Sequence, residues 1–170
     1  LVNICNRFFP WTRKYELQEI YKEFVNFLSQ EIDYVQEGKN ADRFRENFRD
    51  YPNILVPKIY WRYTSRKILA MEYLPGIKIN DRQTLESCGI DVKQVNVLGI
   101  CCYLKQLLED GFFQADPHPG NMAVNRDGSI IFYDFGMMAE MKSLAKDRMI
   151  RTFFAVLRKD TEAVLNSLIE

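Results

Sequence analysis

Three oxygen-bearing side chains in the second half of the sequence have the types and spacing of a metal site. Asp116 is followed by Asn121 five residues later, and Asp134 comes thirteen residues after Asn121, at the start of an Asp-Phe-Gly tripeptide. Carboxylate and amide oxygens suit Mg²⁺, which binds few protein ligands and so leaves positions open for substrate phosphates. An acidic group is then available to orient an attacking hydroxyl or water. The spacing therefore predicts phosphoryl transfer.

The order of these residues is that of the protein-kinase catalytic centre, with an Asp, an Asn five residues on and a later D-F-G. Each short motif is weak alone, but the pair is specific when a hairpin separates them. The alternative is that Asp116 and Asn121 are ordinary turn residues and that Asp134 caps a helix. His118, the single histidine, lies between two prolines. We interpret it as shaping the loop rather than as a general base, because Asp116 already occupies that position.

The second half is predicted to place the candidate residues on a loop and a hairpin that follow two helices. The longer helix begins at an Asp91 N-cap and ends at Asp110, just before Gly111. A loop rich in Pro and Gly, a short hairpin and further helices follow. The predicted bounds are Asp81–Ser87 for the shorter helix, Gln114–Asn121 for the loop, Met122–Val124 and Ser129–Tyr133 for the hairpin, and Leu144 to Leu157 for an apolar helical stripe, with Asp160 capping a last helix.

The first half predicts one long helix. Apolar residues recur at helical spacing from Leu17 to Leu28, and no proline or turn cluster interrupts the pattern before Pro52. We therefore expect the helix to continue past Leu28. Farther along it, Asp33, Glu37 and Asn40 share one stripe.

Two strands and a subdomain boundary are predicted after this helix. Lys58–Thr64 and Lys67–Tyr73 are rich in aromatic and β-branched residues and flank a turn. Pro75-Gly76 is the strongest break in the first half. Because strands are concentrated before this break and helices after it, the predicted fold class is α+β.

Composition excludes several classes of protein. Lys and Arg total 23 and Asp and Glu total 23, so the basic excess of a nucleic-acid-binding protein is lacking and we expect no nucleic-acid partner. No apolar run approaches the ~20 residues that span a bilayer. The chain starts without Met and stops inside a predicted helix, so we expect it to be a segment of a longer protein. Four cysteines, predicted to be buried reduced thiols, lack C-x-x-C spacing: Cys5, Cys88, Cys101 and Cys102.

The chain resembles the UbiB family, the aarF-domain atypical kinases associated with coenzyme Q. The stretches that carry the resemblance are ADPHPGN…FYDFGMM, the upstream QEIDYVQEGKNADRF and the intervening MEYLPGIKIN. Together they cover essentially the whole chain. The pairing of MEYLPGIKIN with GFFQADPHPGN resembles plastid and cyanobacterial members more than mitochondrial ones. The resemblance implies a truncated protein-kinase-like fold, with residues 1–75 as a partial N-lobe and residues 76–170 as a partial C-lobe.

The resemblance also implies roles for individual residues. Asp116 corresponds to the catalytic aspartate, and Asn121 and Asp134 correspond to the metal ligands. Glu37 corresponds to the helix glutamate that pairs with a nucleotide-binding lysine, and a carboxylate on an apolar helix face is costly unless a cation pairs with it. Glu31 and Asp33 correspond to the E-x-D pair near the nucleotide, and a hinge strand that offers its backbone to adenine comprises Met71, Glu72, Tyr73 and Leu74.

An alternative to these functional roles is that the acidic and basic residues of this helix are simply exposed to solvent. Glu31, Asp33 and Glu37 would then form a solvated helix face. A mixed run after them is interpreted as solvated surface with pairs at i, i+3 and i+4; it comprises Lys39, Asp42, Arg43, Arg45, Glu46, Arg49 and Asp50.

The sequence departs from the family pattern in three ways. Gln114 stands where the family often has His, and we expect it to hydrogen-bond the loop backbone. The phosphate-covering loop, the lysine partner of Glu37 and a K-x-G-Q signature are not in the chain, nor are the family's C-terminal helices. We therefore expect the segment alone to hold Mg²⁺ weakly and not to turn over ATP.

For the intact protein, the resemblance implies a kinase or ATPase that binds ATP and Mg²⁺ and regulates prenylquinone or other lipid metabolism. Implied partners are a prenylquinone-like lipid or lipid-biosynthesis proteins, with peripheral membrane association. The implied location is the plastid, at thylakoids or lipid droplets, with the mitochondrion as the alternative. Two other functions stay open: a small-molecule phosphotransferase of the aminoglycoside or choline kinase type, whose loops also read D-x-H-x-G-N but lack E-x-D, and a non-catalytic nucleotide-binding scaffold.

Overall fold

The computed structural model describes residues 33–162 and 165–166. Its first helix, α1 (Tyr34–Asn47), begins at Asp33, whose Oδ1 accepts a hydrogen bond from the Val35 amide at 3.1 Å. The backbone of Asp33 is not helical, with φ −106° and ψ 87°. The prediction of a helix that runs without a break through Asp33 is therefore wrong, because an Asp side chain that accepts from a free amide marks the start of a helix here. The stripe from Leu17 to Leu28 lies outside the described residues.

Short strands and three further helices follow α1. A five-residue π-helical turn at Gln106–Asp110 and two 3₁₀ turns, at Trp61–Tyr63 and Pro119–Asn121, lie between these helices and strands. In chain order the elements are β1 (Ile54–Leu55), β2 (Ile77–Lys78), α2 (Arg82–Ser87), α3 (Val92–Lys105), β3 (Phe112–Gln114), β4 (Met122–Val124), β5 (Ile130–Phe132), β6 (Met138–Glu140) and α4 (Ser143–Leu157).

The strands form a four-stranded sheet and a two-stranded sheet. The larger has the order β1-β5-β4-β2, with β1 parallel to β5 and the other pairs antiparallel. The smaller pairs β3 with β6 antiparallel. The predicted hairpin is confirmed as β4 and β5, and Gly128 in its turn has φ 87°, a left-handed conformation that glycine adopts without a Cβ clash. β1 and β2 lie on either side of Pro75-Gly76, and the division into two lobes there stays a prediction.

The two predicted strands after β1 are largely wrong. Only single β-bridges form there, between Ile59 and Met71 and between Ser65 and Ile68. The chain turns instead because Trp61 docks on α1: its Nε1 donates to Asp42 Oδ2 at 2.7 Å. The indole also lies so close to α1 that a Cβ on Gly38 would be 2.9 Å from the ring.

The helix ends in the second half agree with the prediction. Asp81 Oδ1 accepts from Thr84 N at 3.1 Å at the start of α2, and Asp91 Oδ1 accepts from Lys93 N at 2.8 Å at the start of α3. Helical structure continues through the π-helical turn and ends at Gly111, which has φ 62°. These ends depend on local chemistry, namely side-chain capping at the N-terminus and a left-handed glycine at the C-terminus.

Aromatic rings from α1 and the two sheets form the part of the core beneath the candidate site. Phe44 is 1% exposed, and its ring centroid lies 5.1 Å from that of Phe132 and 5.3 Å from that of Phe135. Phe48 stacks on Phe44 at 4.7 Å. This packing fixes α1 against the chain that follows β5.

The charged run on α1 only partly agrees with the prediction. Two pairs at i, i+3 are present: Arg45 with Asp42, and Arg49 with Glu46. Arg43, however, makes a two-pronged contact with Glu140, 97 residues away, at 2.7 and 3.2 Å, and its guanidinium lies 4.0 Å from the ring centroid of Phe112. Arg43 therefore joins α1 to the smaller sheet rather than forming a local pair.

The prediction of four buried thiols is wrong for two cysteines. Cys102 is buried, whereas Cys88 and Cys101 are exposed, and Cys5 lies outside the described residues. Within the described part of the chain, no helix combines the length and the apolar character needed to cross a bilayer.

Candidate active site

The hairpin brings Asn121 and Asp134 together. Asn121 immediately precedes β4 and Asp134 follows β5 by two residues, and these antiparallel strands pair Met122 with Phe132. The Tyr133 amide then donates to Asn121 O at 3.0 Å, and Asn121 Nδ2 donates to Asp134 Oδ2, also at 3.0 Å. Both side chains are half-buried. The two predicted metal ligands are therefore neighbours.

The loop that carries Asp116 is shaped by His118. His118 Nδ1 accepts from the Gly120 amide at 3.0 Å, and a Cβ on Gly120 would lie 2.8 Å from that nitrogen. The His118 amide donates to Asp116 O at 2.8 Å, and the Asn121 amide donates to His118 O at 2.9 Å. This confirms the interpretation of His118 as a loop-shaping residue. Asp116 is exposed, and among the described residues no hydrogen bond or ion pair to its carboxylate is found.

Gln114 supports Asp134 from the side of β3. Its side chain is almost completely buried, at 5% exposure, and its Nε2 donates to Asp134 O at 2.8 Å. Its Oε1 accepts from the Tyr103 hydroxyl at 3.0 Å, and its amide donates to Gln106 Oε1 at 3.0 Å. The expectation that Gln114 hydrogen-bonds the loop backbone is not met, because its side chain bonds the backbone at Asp134 instead of the Gln114–Asn121 loop.

Neutral groups of the helix α3 region surround Gln114. Gln106 is fully buried, and its Nε2 contacts Cys102 Sγ at 3.4 Å. Burial raises the pKa of Cys102 to about 12, so the group remains a thiol. The pKa of Tyr103 is also raised, chiefly by burial and further by the negative charge of Asp116. The Tyr103 hydroxyl therefore stays protonated and can donate to Gln114.

Helix α1 contacts the backbone of the Asp-Phe-Gly tripeptide. Glu37 Oε1 accepts from the Phe135 amide at 3.5 Å, a long bond, and Asn40 Nδ2 donates to Phe135 O at 2.8 Å. Gln36 Nε2 donates to Asn40 Oδ1 at 3.0 Å. The stripe that contains Glu37 and Asn40 therefore faces this tripeptide, while the pairing of Glu37 with a lysine, which the resemblance implies, stays a prediction.

The E-x-D pair is only half described, since Glu31 lies outside the described residues. Asp33 caps α1, and its Oδ2 lies 3.4 Å from Arg66 Nε. The structure gives Asp33 no hydrogen bond to Asn121 or Asp134. Its visible role is to start the helix that carries Glu37, and its predicted proximity to a nucleotide stays a prediction.

The backbone of the predicted hinge is partly engaged in hydrogen bonds within the protein, and its role in binding adenine stays a prediction. The Glu72 amide donates to Lys58 O at 2.8 Å, and Leu74 O accepts from the Tyr133 hydroxyl at 2.7 Å. These two backbone groups are therefore engaged within the protein and are not available to adenine. Among the described residues, no backbone hydrogen bond occupies the N–H or C=O groups of Met71 and Tyr73, the other two members of the predicted set.

The donor set fits Mg²⁺ better than a softer metal. The described residues contain no group of three or more His, Cys, Asp or Glu that could hold a metal, which excludes a zinc-type site there. Asn121 keeps its amide oxygen, because its hydrogen bond to Asp134 uses Nδ2. Asp134 Oδ1 accepts from the Gly136 amide at 2.9 Å and keeps further lone pairs. One carboxylate and one amide oxygen suit a cation that takes its remaining ligands from water and phosphate.

Three contributors to this site were not predicted. Asn40 had a signal, since it shares a stripe with Glu37. Gln106 had only the weak signal of an amide within a largely apolar helix. Tyr133 and its contact with Leu74 had none, because the residues are 59 positions apart.

Residues 1–168 match the family model of the ABC1 atypical kinase-like domain. The chain belongs to this family. It is 60% identical over 172 residues to the Synechocystis protein sll0095, covering 99% of this chain and 30% of that protein. It is 47% identical over 151 residues to the Arabidopsis thaliana protein ACTIVITY OF BC1 COMPLEX KINASE 7, chloroplastic, covering 89% of this chain and 22% of that protein. The chain thus spans a third or less of these relatives.

A solved structure supports the fold. The Mycobacterium tuberculosis protein Rv3197, solved with erythromycin, superposes with a TM-score of 0.65 at 23% identity, covering 90% of this chain and 38% of that one. The predicted α+β, kinase-like fold class is confirmed by the family match and by the mixed helices and strands of the structure. The named plant relatives are chloroplastic, and others are cyanobacterial.

Proposed function

We propose that the intact protein binds ATP with Mg²⁺ and acts as an atypical kinase or ATPase. The observation that carries the proposal is the 3.0 Å contact between Asn121 and Asp134, which places an amide and a carboxylate side by side at the end of one hairpin. The chemistry that Mg²⁺ would supply there is positive charge that offsets the negative charge of the phosphates. Asn121 Oδ1 and the Asp134 carboxylate would hold this ion.

In this proposal Asp116 handles the proton. Its carboxylate is exposed on a loop fixed by His118, five residues before Asn121. It would accept a hydrogen bond from an acceptor hydroxyl or a water and take its proton as the oxygen attacks the γ-phosphorus of ATP, while the bond from that phosphorus to the ADP oxygen breaks and ADP leaves. Glu37 would contribute indirectly, since its Oε1 accepts from the amide of the residue after Asp134.

The nucleotide base would bind at the hinge. Because Glu72 N–H and Leu74 C=O are already engaged, the hinge backbone groups that remain for adenine are those of Met71 and Tyr73, the Glu72 C=O and the Leu74 N–H. The bonds that flank the Ile59–Met71 bridge join Tyr60 N to Ala70 O and Glu72 N to Lys58 O, so the polar groups of Met71 point away from that bridge.

Family membership favours this proposal over a small-molecule phosphotransferase of the aminoglycoside or choline kinase type. The remaining alternative, a nucleotide-binding scaffold without transfer, would use the same metal contacts. The two differ in the role of Asp116, which matters for turnover and not for binding.

Location and pathway are extensions of the same proposal. We place the intact protein in the plastid because its named plant relatives are chloroplastic and others are cyanobacterial. Regulation of prenylquinone or other lipid metabolism, with peripheral association at thylakoids or lipid droplets, follows from the family resemblance alone.

The test is Mg²⁺-dependent nucleotide binding by the intact protein, followed by thermal shift. A ligand at about 100 times its Kd stabilises the folded state by about 2.7 kcal/mol. In the wild type, EDTA should remove the Mg²⁺-dependent part of the thermal shift that ATP causes. Asp134→Asn should lack this Mg²⁺-dependent part. Asp50→Asn is the matched control, because Asp50 is 83% exposed and has only a 3.6 Å contact with Arg49.

An Asp134→Asn protein that keeps the full Mg²⁺-dependent shift would refute the proposal. Asp116→Asn provides a second arm: it should bind nucleotide normally and fail in single-turnover assays of phosphate release or transfer. Normal nucleotide binding with no turnover by either the wild type or Asp116→Asn would instead favour the scaffold, and equal measurable turnover by both would refute the role proposed for Asp116. Adding a prenylquinone-like lipid to these assays tests the proposed partner.

A further inference from the structure

Asn40 is a buried amide whose orientation is fixed at both ends. It is 8% exposed, and its Nδ2 donates to Phe135 O at 2.8 Å in a buried hydrogen bond. Its Oδ1 accepts from Gln36 Nε2 at 3.0 Å. Because Gln36 supplies a donor to the oxygen, the NH₂ group is the end that faces the tripeptide.

Two buried amides hold consecutive carbonyls from opposite sides. Gln114, on β3, donates to Asp134 O, and Asn40, on α1, donates to Phe135 O, both at 2.8 Å. The Phe135 ring packs on Phe44, one helical turn beyond Asn40. Rotation of the Phe135 peptide would leave buried polar groups without partners, which is costly.

We infer that Asn40 is a positioning residue for the Asp134 carboxylate. The inference rests on the proposed function, in which that carboxylate holds Mg²⁺. Asn40 acts through the backbone: by donating to Phe135 O it fixes the peptide between Phe135 and Gly136. The N–H of that same peptide is the Gly136 amide, which donates to Asp134 Oδ1 at 2.9 Å. Loss of the Asn40 amide therefore frees the peptide and shifts the carboxylate relative to Asn121.

The experiment titrates Mg²⁺ at fixed ATP in the intact protein and measures the concentration that gives half of the thermal shift. Asn40→Leu keeps a similar shape, removes the donor and adds no charge. We expect this Mg²⁺ concentration to rise about tenfold, the effect of one buried carbonyl left without its donor. In an Asp134→Asn background, Asn40→Leu should cause no further change. Asn47→Leu, at the end of the same helix, is the control.

A second variant covers the case in which Asn40→Leu fails to fold. Gln36 is exposed, so Gln36→Leu should fold, and it removes the bond that orients the Asn40 amide. We expect a shift in the same direction and smaller. Hydrogen exchange of residues 134–137 without nucleotide gives a readout independent of binding, and both variants should exchange faster there than the wild type.

The outcomes separate the two hypotheses. If Asp134→Asn loses the Mg²⁺ response while Asn40→Leu and Gln36→Leu titrate like the wild type, the inference is wrong and the proposed function stands. If Asp134→Asn responds normally, the proposed function is wrong. Hydrogen exchange then decides whether Asn40 holds this backbone, and unchanged exchange in residues 134–137 overturns that role as well.

Discussion

The two sides of the candidate site are built differently. In the catalytic segment (residues 112–140), buried amides hold the backbone around Asp134, and Phe135 is 2% exposed. In the hinge segment (residues 58–74), two isolated β-bridges and a 3₁₀ turn hold the chain, and Tyr73 is 86% exposed. Local stability follows burial and hydrogen bonding, so the hinge segment should open at lower free energy.

This difference matches what each side would have to do. Placing a carboxylate and an amide for one cation requires positions fixed to a fraction of an ångström, and buried polar networks supply such rigidity when every group is paired. A backbone that receives a flat base needs only an extended strand with unoccupied groups. One direct hydrogen bond joins the two segments, from the Tyr133 hydroxyl to Leu74 O at 2.7 Å.

The largest expected effect is on the core beneath the catalytic segment. Phe44 is 1% exposed and contacts the rings of Phe48, Phe132 and Phe135. Phe44→Ala should therefore lower the free energy of unfolding by about 3–5 kcal/mol, through lost transfer energy and a residual cavity. Urea denaturation followed by tryptophan fluorescence and circular dichroism measures this loss.

The matched change in the hinge segment is Tyr63→Ala. Tyr63 is 65% exposed, so its removal should leave the urea midpoint within the small range typical of surface substitutions. Equal losses from Phe44→Ala and Tyr63→Ala would break the contrast between the two segments.

An intermediate effect is expected at the bond between the segments. Tyr133→Phe removes the hydroxyl that donates to Leu74 O and keeps the ring, so it should cost about 1 kcal/mol. The pKa of Tyr133 is raised above its ordinary value, first by burial and then by the nearby Tyr73. The hydrogen bond from Tyr133 should contribute fully to the free energy of unfolding below pH ~10, the ordinary tyrosine pKa. This contribution should disappear as the pH rises through the raised pKa of Tyr133.

Denaturation of wild type and Tyr133→Phe at several pH values, with Tyr63→Phe as control, tests this bond. Hydrogen exchange should also become faster in residues 71–74 of Tyr133→Phe. A hinge segment with unchanged exchange would mean that the two segments are not coupled through Tyr133.

Local sequence patterns predicted the catalytic segment well. The contact between Asn121 and Asp134 follows from one hairpin. The turn and the strand lengths of this hairpin are determined by residues that are close in the sequence. The caps at Asp81 and Asp91 and the helix end at Gly111 are equally local. In each case the chemistry that decides the structure lies within a few residues of the feature.

Long-range contacts explain what the sequence failed to predict. The strands expected in the hinge segment were replaced because Trp61 docks on Asp42 and Gly38 of α1. Arg43 and Glu140 are 97 residues apart in the sequence, and no periodic pattern of residues predicts their contact. Helical spacing also could not show that a helix begins at Asp33, since a capping Asp and an exposed helical Asp have the same sequence pattern.

The smallest expected effect concerns the Arg43–Glu140 pair at the outer edge of the catalytic segment. The two side chains are 44% and 63% exposed, and exposed pairs contribute little. Glu140→Gln should lower the urea midpoint less than Tyr133→Phe does. Arg43, through its hydrogen bonds and charge, lowers the pKa of Glu140. The folded state therefore favours the carboxylate, so the pair's contribution is present near neutral pH and is lost as the pH falls through that lowered pKa.

Salt separates the charge of this pair from its packing. At 1 M salt the Debye length is about 3 Å, so the difference between wild type and Glu140→Gln should shrink if charge is its source. The Arg43 guanidinium also lies 4.0 Å from the Phe112 ring centroid, and that contact does not require Glu140. A difference that persists at high salt and at low pH would show that Glu140 acts by holding Arg43 over the ring. The edge of the catalytic segment would then be stabilised by packing, as its centre is.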